Sequence, residues 1–189
     1  TGKYRVVHKK YEYRLDAIKQ EKDFYSAISG GDISEEAAEI LGHSLIANQG
    51  ESTFYYNGSP ENYMNGEELL TVQKGSYGNL LLPLSDTLKK LGATSVAMEN
   101  SRDIAIVYGG EKYRIMADSG ILRKGFMIKR LNCPVVLYLN KAMAGVEFYR
   151  YFTGRESVEK DGIIIILPAG VNTDKKLKEQ LFKAAGKLF

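Results

Sequence analysis

Apolar positions fall at helical spacing near the start of this chain, alternate or run together through its middle, and return to helical spacing at the end. Leu15, Ile18, Lys22 and Tyr25 predict a helix over 12–29, stopped by Gly30-Gly31. Asp32 followed by Glu35 is a capping-box pattern, so Asp32 is expected to cap a second helix. Its apolar stripe would be Ala37, Ile40, Leu41 and Leu45, with Gly42 a weak point inside it. Ahead of these helices, residues 1–13 mix bases and aromatics, including Lys3, Tyr4, Arg5, His8 and Tyr11, and suit a strand or an extended arm.

From Thr53 the rhythm becomes that of strands and turns. Asn57-Gly58 is a hairpin signal, Asn65-Gly66 marks a second turn, and Gly75 and Gly78 bracket a third. Leu80–Leu82 predicts a short buried strand, and Ser85 is expected to cap a helix carrying Leu84, Leu88 and Leu91 on one face, ended by Gly92. Two strands, 94–98 and 104–108, follow across the polar turn 99–103, and Gly109-Gly110 closes the second. A similar order recurs roughly 55 residues later, which argues for internal duplication. Val135–Leu139 reads as the strand, Asn140 as the cap and the stretch through Met143 and Val146 to Phe148 as the helix. Tyr149–Phe152 and Ile163–Leu167 read as the strands after it, joined by a charged turn over 154–161. Between the copies, 112–116 and 121–128 read as further strands. The tail, from Asp174 to Phe189, is an amphipathic helix with Leu177, Leu181, Ala184 and Leu188 on its apolar face. That face is expected to pack on this or a following domain rather than on a membrane surface.

The pattern predicts an α+β fold: two diverged β-α-β-β repeats with mostly antiparallel sheet, an N-terminal helical segment and a C-terminal helix. The expected division is an arm and helical segment over 1–50, a first repeat over 51–110, a second over 111–172 and the terminal helix over 173–189. Residues 51–189 would form one compact unit.

Composition narrows the function classes. A net charge of +3 over 189 residues, without a dense basic stripe, gives no case for nucleic acid. No apolar run is long enough for a transmembrane helix. Cys133, the single cysteine, cannot form an internal disulfide, and with only His8 and His43 beside it no zinc site is expected. Tryptophan is absent and tyrosine frequent, at 13 residues, which suits sheet surfaces or a stacking platform for sugars.

The stretch Leu80-Leu81-Leu82-Pro83-Leu84-Ser85-Asp86-Thr87-Leu88-Lys89-Lys90-Leu91-Gly92-Ala93 resembles the signature of the copper amine oxidase-like N-terminal domain, or stalk domain. That signature is a strand, Pro-Leu, and a helix ending in Leu-Gly-Ala, continued by strand, turn and strand. The second copy keeps the strand-to-helix entry at Val136–Asn140 but lacks the proline, and Gly145-Val146 stands near the place of Leu-Gly-Ala. The resemblance covers Thr53 to Leu167. It implies a non-catalytic module of a secreted or cell-envelope bacterial protein, with the signal peptide outside this chain. It does not carry over the oxidase activity, which needs three histidines and a tyrosine-derived cofactor where this chain has two histidines.

No catalytic residue, metal or cofactor is expected. His43 lies on a helix without a nucleophile in reach of the sequence pattern, no Gly-x-Ser-x-Gly elbow exists, and Gly30-Gly31-Asp32 lacks a phosphate-binding lysine. Glu35 with Glu36, Glu67 with Glu68, and Glu147 are the carboxylates for an alternative reading as a hydrolase. The leading expectation is binding or anchoring to cell-wall glycan or another surface polymer. Tyr149, Arg150 and Tyr151 are its main candidates, because strand alternation would put both tyrosines on one face. Tyr77 and Tyr55 follow, with Tyr56 and Tyr63. The alternative is a spacer or dimerisation domain, with a second copy or a neighbouring domain as partner.

Overall fold

A computed structural model of the chain describes residues 19–30, 33–132 and 134–189. The arm over 1–13, the start of the first predicted helix, Asp32 and Cys133 lie outside the described residues. The fold is α+β and mostly antiparallel, with helices towards both ends. Helix α1 covers 19–28 and α2 covers Glu35–Gly42. A meander of β1 (Leu45–Asn48), β2 (Thr53–Tyr56) and β3 (Ser59–Asn62) follows, then a small hairpin of β4 (Met64–Asn65) and β5 (Glu68–Leu69). Next come β6 (Gln73–Lys74), β7 (Leu80–Pro83), α3 (Leu84–Lys90), β8 (Ala93–Met98) and β9 (Asp103–Tyr108). The second half holds β10 (Glu111–Met116), β11 (Ile121–Lys124), β12 (Met127–Arg130), β13 (Val136–Tyr138), β14 (Lys141–Gly145) and α4 (Val146–Thr153). It ends with β15 (Ser157–Lys160), β16 (Ile163–Ile166) and α5 (Lys175–Ala185).

With β4 and β5 set aside, one order of elements recurs: a three-strand meander, a hairpin, a helix running on from the hairpin, and a second hairpin. It reads β1-β2-β3, β6-β7, α3, β8-β9 and then β10-β11-β12, β13-β14, α4, β15-β16. The halves exchange partners. The closing hairpin β15-β16 joins the first meander in a sheet ordered β15-β16-β1-β2-β3. The hairpin β8-β9 joins the second meander in a sheet ordered β12-β11-β10-β9-β8. Between them, β7 and β14 pair antiparallel, Leu82 opposite Ala144, in the four-stranded sheet β13-β14-β7-β6.

The first sheet is apolar on both faces. Ile164 and Ile166 belong to the main core with Leu45, Ala47 and Phe54. Ile165 and Ile46 face a second core, built with Phe24 and Ile28 of α1, Ala37 and Leu41 of α2, and Leu181, Ala184 and Ala185 of α5. The terminal helix thus packs back on the domain. A run of four isoleucines suits a strand covered on both sides, where a one-sided strand would alternate. The second sheet is one-sided: Ile104, Ile106, Ile115 and Leu122 enter the main core with α3 and α4 against them, and alternate residues face solvent. Among the described residues no helix is long and apolar enough to cross a membrane.

Several local expectations are corrected. Ser34 caps α2, its hydroxyl accepting from the Ala37 N–H at 3.2 Å. Leu45 lies in β1, not on the α2 stripe, because its neighbours pair with β16 and β2. Gly42 is a close-packing position: a Cβ there would stand 2.1 Å from the Tyr25 hydroxyl. Ser85 does not cap α3; Pro83 holds that place with its fixed φ, and Ser85 is inside the helix. In the second copy, Asn140 is a turn residue: Leu139 and Asn140 both have positive φ and return the chain into β14. The helix therefore starts at Val146, after the strand and not after Asn140. It absorbs Tyr149–Phe152, read from sequence as a strand. Phe148, Tyr149 and Phe152 share its buried face, and Phe148 stacks on Phe152 with ring centres 4.8 Å apart. The charged stretch 154–161 contains strand β15, paired with β16.

Candidate functional site

The turn between β6 and β7 is short and held at its base. The Gly75 N–H donates to the Asn79 carbonyl at 2.8 Å, and the Gly78 N–H to the Gly75 carbonyl at 2.9 Å. Tyr77 stands at its tip, 79% exposed. Below it, the Asn79 side chain lies against the start of α4 so closely that a Cβ on Gly145 would come within 2.7 Å of its amide nitrogen. The start of β7 is fastened from another element: the Leu80 N–H donates to both carboxylate oxygens of Glu159, each at 3.2 Å. The turn is therefore a braced support carrying an unpacked aromatic ring.

That turn forms one wall of a cleft of about 420 Å³, also lined by Lys74, Ser76, Asn79, Asp118 and Tyr138. A second cleft of about 400 Å³ shares Tyr77, Asp118 and Pro134 with it and adds Ser119, Arg130 and Asn132. Asp118, at positive φ, is held by its N–H donating to the Val135 carbonyl at 2.7 Å. Tyr138 is 38% exposed on β13, an outer strand of the central sheet. An open groove of this volume, with aromatic surface and a few convergent amide, hydroxyl and charged groups, has the makeup of a ligand site. Leaving Tyr77 in water forgoes about 2 kcal/mol of burial that a ligand can recover.

The structure distributes the other expected site residues differently. Tyr149 is fully buried and its hydroxyl donates to the Leu82 carbonyl at 3.0 Å; burial pushes the phenol well above its ordinary pKa. It holds α4 on β7 and presents nothing to a ligand. Arg150 donates to the Ser157 carbonyl at 2.8 Å, tying α4 to β15. Tyr151 is 39% exposed, but on a helix, so the face it was expected to share with Tyr149 does not exist; Lys129 lies 3.9 Å over its ring. Tyr55 packs between Phe24 and Phe189, its hydroxyl donating to the Leu188 carbonyl at 3.3 Å, and burial raises its pKa. Tyr56 lies beneath Lys90, and Tyr63 is buried, stacked 4.2 Å from Phe54 and bonded to Thr87, with its pKa raised by burial. Of the expected set, Tyr77 alone lines the groove.

Tyr138, Asn79, Asp118 and Arg130 were not singled out from the sequence. No pattern in the sequence marks them: the turn at Leu139-Asn140, which makes β13 a hairpin arm with an open edge instead of a core strand, is seen only in the structure.

The carboxylates weighed for hydrolysis sit exposed on separate elements: Glu35 and Glu36 in the first turn of α2, Glu67 and Glu68 at the β4–β5 hairpin, and Glu147 in the first turn of α4. His43 is exposed at the end of α2. The turn 99–103 is an Asx turn, with the Asn100 side-chain oxygen accepting from the N–H groups of Arg102 and Asp103 at 2.9 Å. Among the described residues no group of three or more His, Cys, Asp or Glu is placed to hold a metal ion.

No family model matches the chain, and no curated protein or solved structure matches it.

Proposed function

We propose that the protein is a non-catalytic module of a secreted or cell-envelope protein that binds a glycan in the groove walled by Tyr77 and Tyr138. The observation carrying this reading is Tyr77: a large aromatic side chain left 79% exposed on a turn that is itself braced by Glu159 and Asn79. A flat aromatic ring takes the apolar face of a sugar ring, and the amide, hydroxyl and carboxylate groups of Asn79, Ser76 and Asp118 suit sugar hydroxyls. The envelope address is supported by the stalk-domain resemblance of residues 80–93. Retention on insoluble peptidoglycan or polysaccharide tests the reading. The wild type is expected to be retained, Tyr77→Ala to lose at least about tenfold in affinity, which is about 1.4 kcal/mol, and Tyr151→Ala to behave as wild type. A wild type that is retained by no such polymer contradicts it.

A second reading, a spacer or dimerisation domain, is favoured by strand β12. It is an outer strand with no proline, all four of its residues are exposed, and Phe126 beside it is fully exposed. The opposite sheet's outer strand β3, by contrast, carries Pro60 and Glu61. Sedimentation showing monomer alone at high concentration counts against dimerisation.

A further inference from the structure

We infer that the glycan is anionic and that its charged groups lie on the solvent face of the second sheet, along a track leading out of the Tyr77 groove. This inference rests on the glycan-binding reading and names the substrate class of the same site. The track is continuous in residues. Arg130 lines the second cleft together with Tyr77. In the sheet Arg130 lies opposite Ile121. Ile121 in turn lines a further depression of about 270 Å³ with Arg123, Arg114 and Asp103.

The charges on this face are poorly explained by folding. Arg114 and Arg123 are directly opposite one another across β10 and β11. Like charges in that position destabilise a sheet. Glu99 neutralises Arg114 at 3.1 Å, an exposed pair. Arg123 and Arg130 have no carboxylate partner among the described residues. The same face carries Lys112, opposite Val107, and at the mouth of the groove stands Lys74. Against these stand Asp118 in the groove and Asp103 at the far end, the latter bonded to Asn100. One unpartnered guanidinium, Arg130, thus lines the groove end of the track and the other, Arg123, the far depression. Guanidinium groups take carboxylate and phosphate oxygens in paired hydrogen bonds, which neutral sugars do not offer. Exposed Ile128, opposite Arg123, gives the same surface an apolar floor for ring carbons. The complementary ligand is a polysaccharide with a carboxylate or phosphate on its repeat, with sugars in the groove and anions on Arg130 and Arg123.

The test is affinity electrophoresis or calorimetry of the whole chain with matched polymers. The arms are polygalacturonate, its fully methyl-esterified form, a poly(glycerol phosphate) and a single-stranded oligonucleotide. The expected result is at least about tenfold tighter binding to polygalacturonate or poly(glycerol phosphate) than to the esterified polymer, weakened by added salt. Which of the two anions binds better separates a carboxylate from a phosphate source. Arg123→Gln with Arg130→Gln should abolish the preference, with the melting temperature unchanged or raised. Single Arg123→Gln should reduce the preference in part. Equal affinity for the charged and esterified polymers overturns the inference and leaves the glycan reading standing. Binding of neither form of polygalacturonate, whether or not poly(glycerol phosphate), which has no sugar ring, is bound, overturns both. An oligonucleotide bound as tightly as the anionic polymers overturns the assignment to sugar.

Discussion

The two five-stranded sheets have corresponding strand orders and opposite surroundings. In β15-β16-β1-β2-β3, three helices cover the outer face, so Ile46 and Ile165 are as buried as Ile164 on the other side. In β12-β11-β10-β9-β8 the outer face is bare, and the corresponding positions hold Ala105, Arg114, Arg123 and Ile128. One sheet works as a wall between two cores and the other as a surface. Pairing pattern alone does not decide which; the segments outside the recurring order do, because α1, α2 and α5 have no counterparts in it. The groove lies on the bare side, where Arg130 links it to the open face.

The largest expected effect breaks this contrast directly. Ile165→Asp buries an unpaired carboxylate in the second core and should cost more than about 4 kcal/mol, enough to unfold a domain of ordinary stability. Ile128→Asp, at a position 66% exposed, should change stability by less than about 0.5 kcal/mol. Urea denaturation compares the two. A next, smaller effect concerns the joint between the halves. Tyr149→Phe leaves the Leu82 carbonyl without its hydroxyl donor in a buried site and should cost about 1–2 kcal/mol by the same measurement, without altering glycan retention.

The smallest expected effect sharpens the account of the helical cover. Burial opposes ionisation of Glu156, but Lys178, 2.8 Å away on α5, and the N–H and hydroxyl of Thr173 outweigh it and hold the carboxyl below its ordinary pKa. A carboxyl depressed in the folded state stabilises the fold above its unfolded pKa, and that contribution fades as pH falls through the folded value. The wild-type urea midpoint should therefore be steady above the ordinary carboxylate range and decline below it. Glu156→Gln should start lower and decline less steeply.

Part of this contrast was legible in the residues. The run Ile163–Ile166 announces a buried strand, whereas Ile104-Ala105-Ile106-Val107, apolar throughout, does not show that its strand is covered on one face only. Asn57-Gly58 and Gly109-Gly110 place their hairpins correctly. The segment Phe148–Phe152 was not legible as helix. Its aromatics satisfy a period of two as well as helical spacing, and the choice is made by partners far away: β7 pairs with Met143–Gly145, which holds that segment as strand and pushes the helix onward. The groove was harder still. Tyr77 and Tyr138 come from different halves of the chain, and they line one cleft because β7 and β14 pair in the central sheet. Nothing local to either tyrosine encodes that meeting.

The most direct test is an amide-shift titration of the isotopically labelled chain with soluble cell-wall oligosaccharides. The account predicts perturbations centred on Ser76, Tyr77, Asn79, Asp118 and Tyr138, with the amides of α1, α2 and α5 unmoved. Perturbations confined to those helices, or none at saturating oligosaccharide, contradict it.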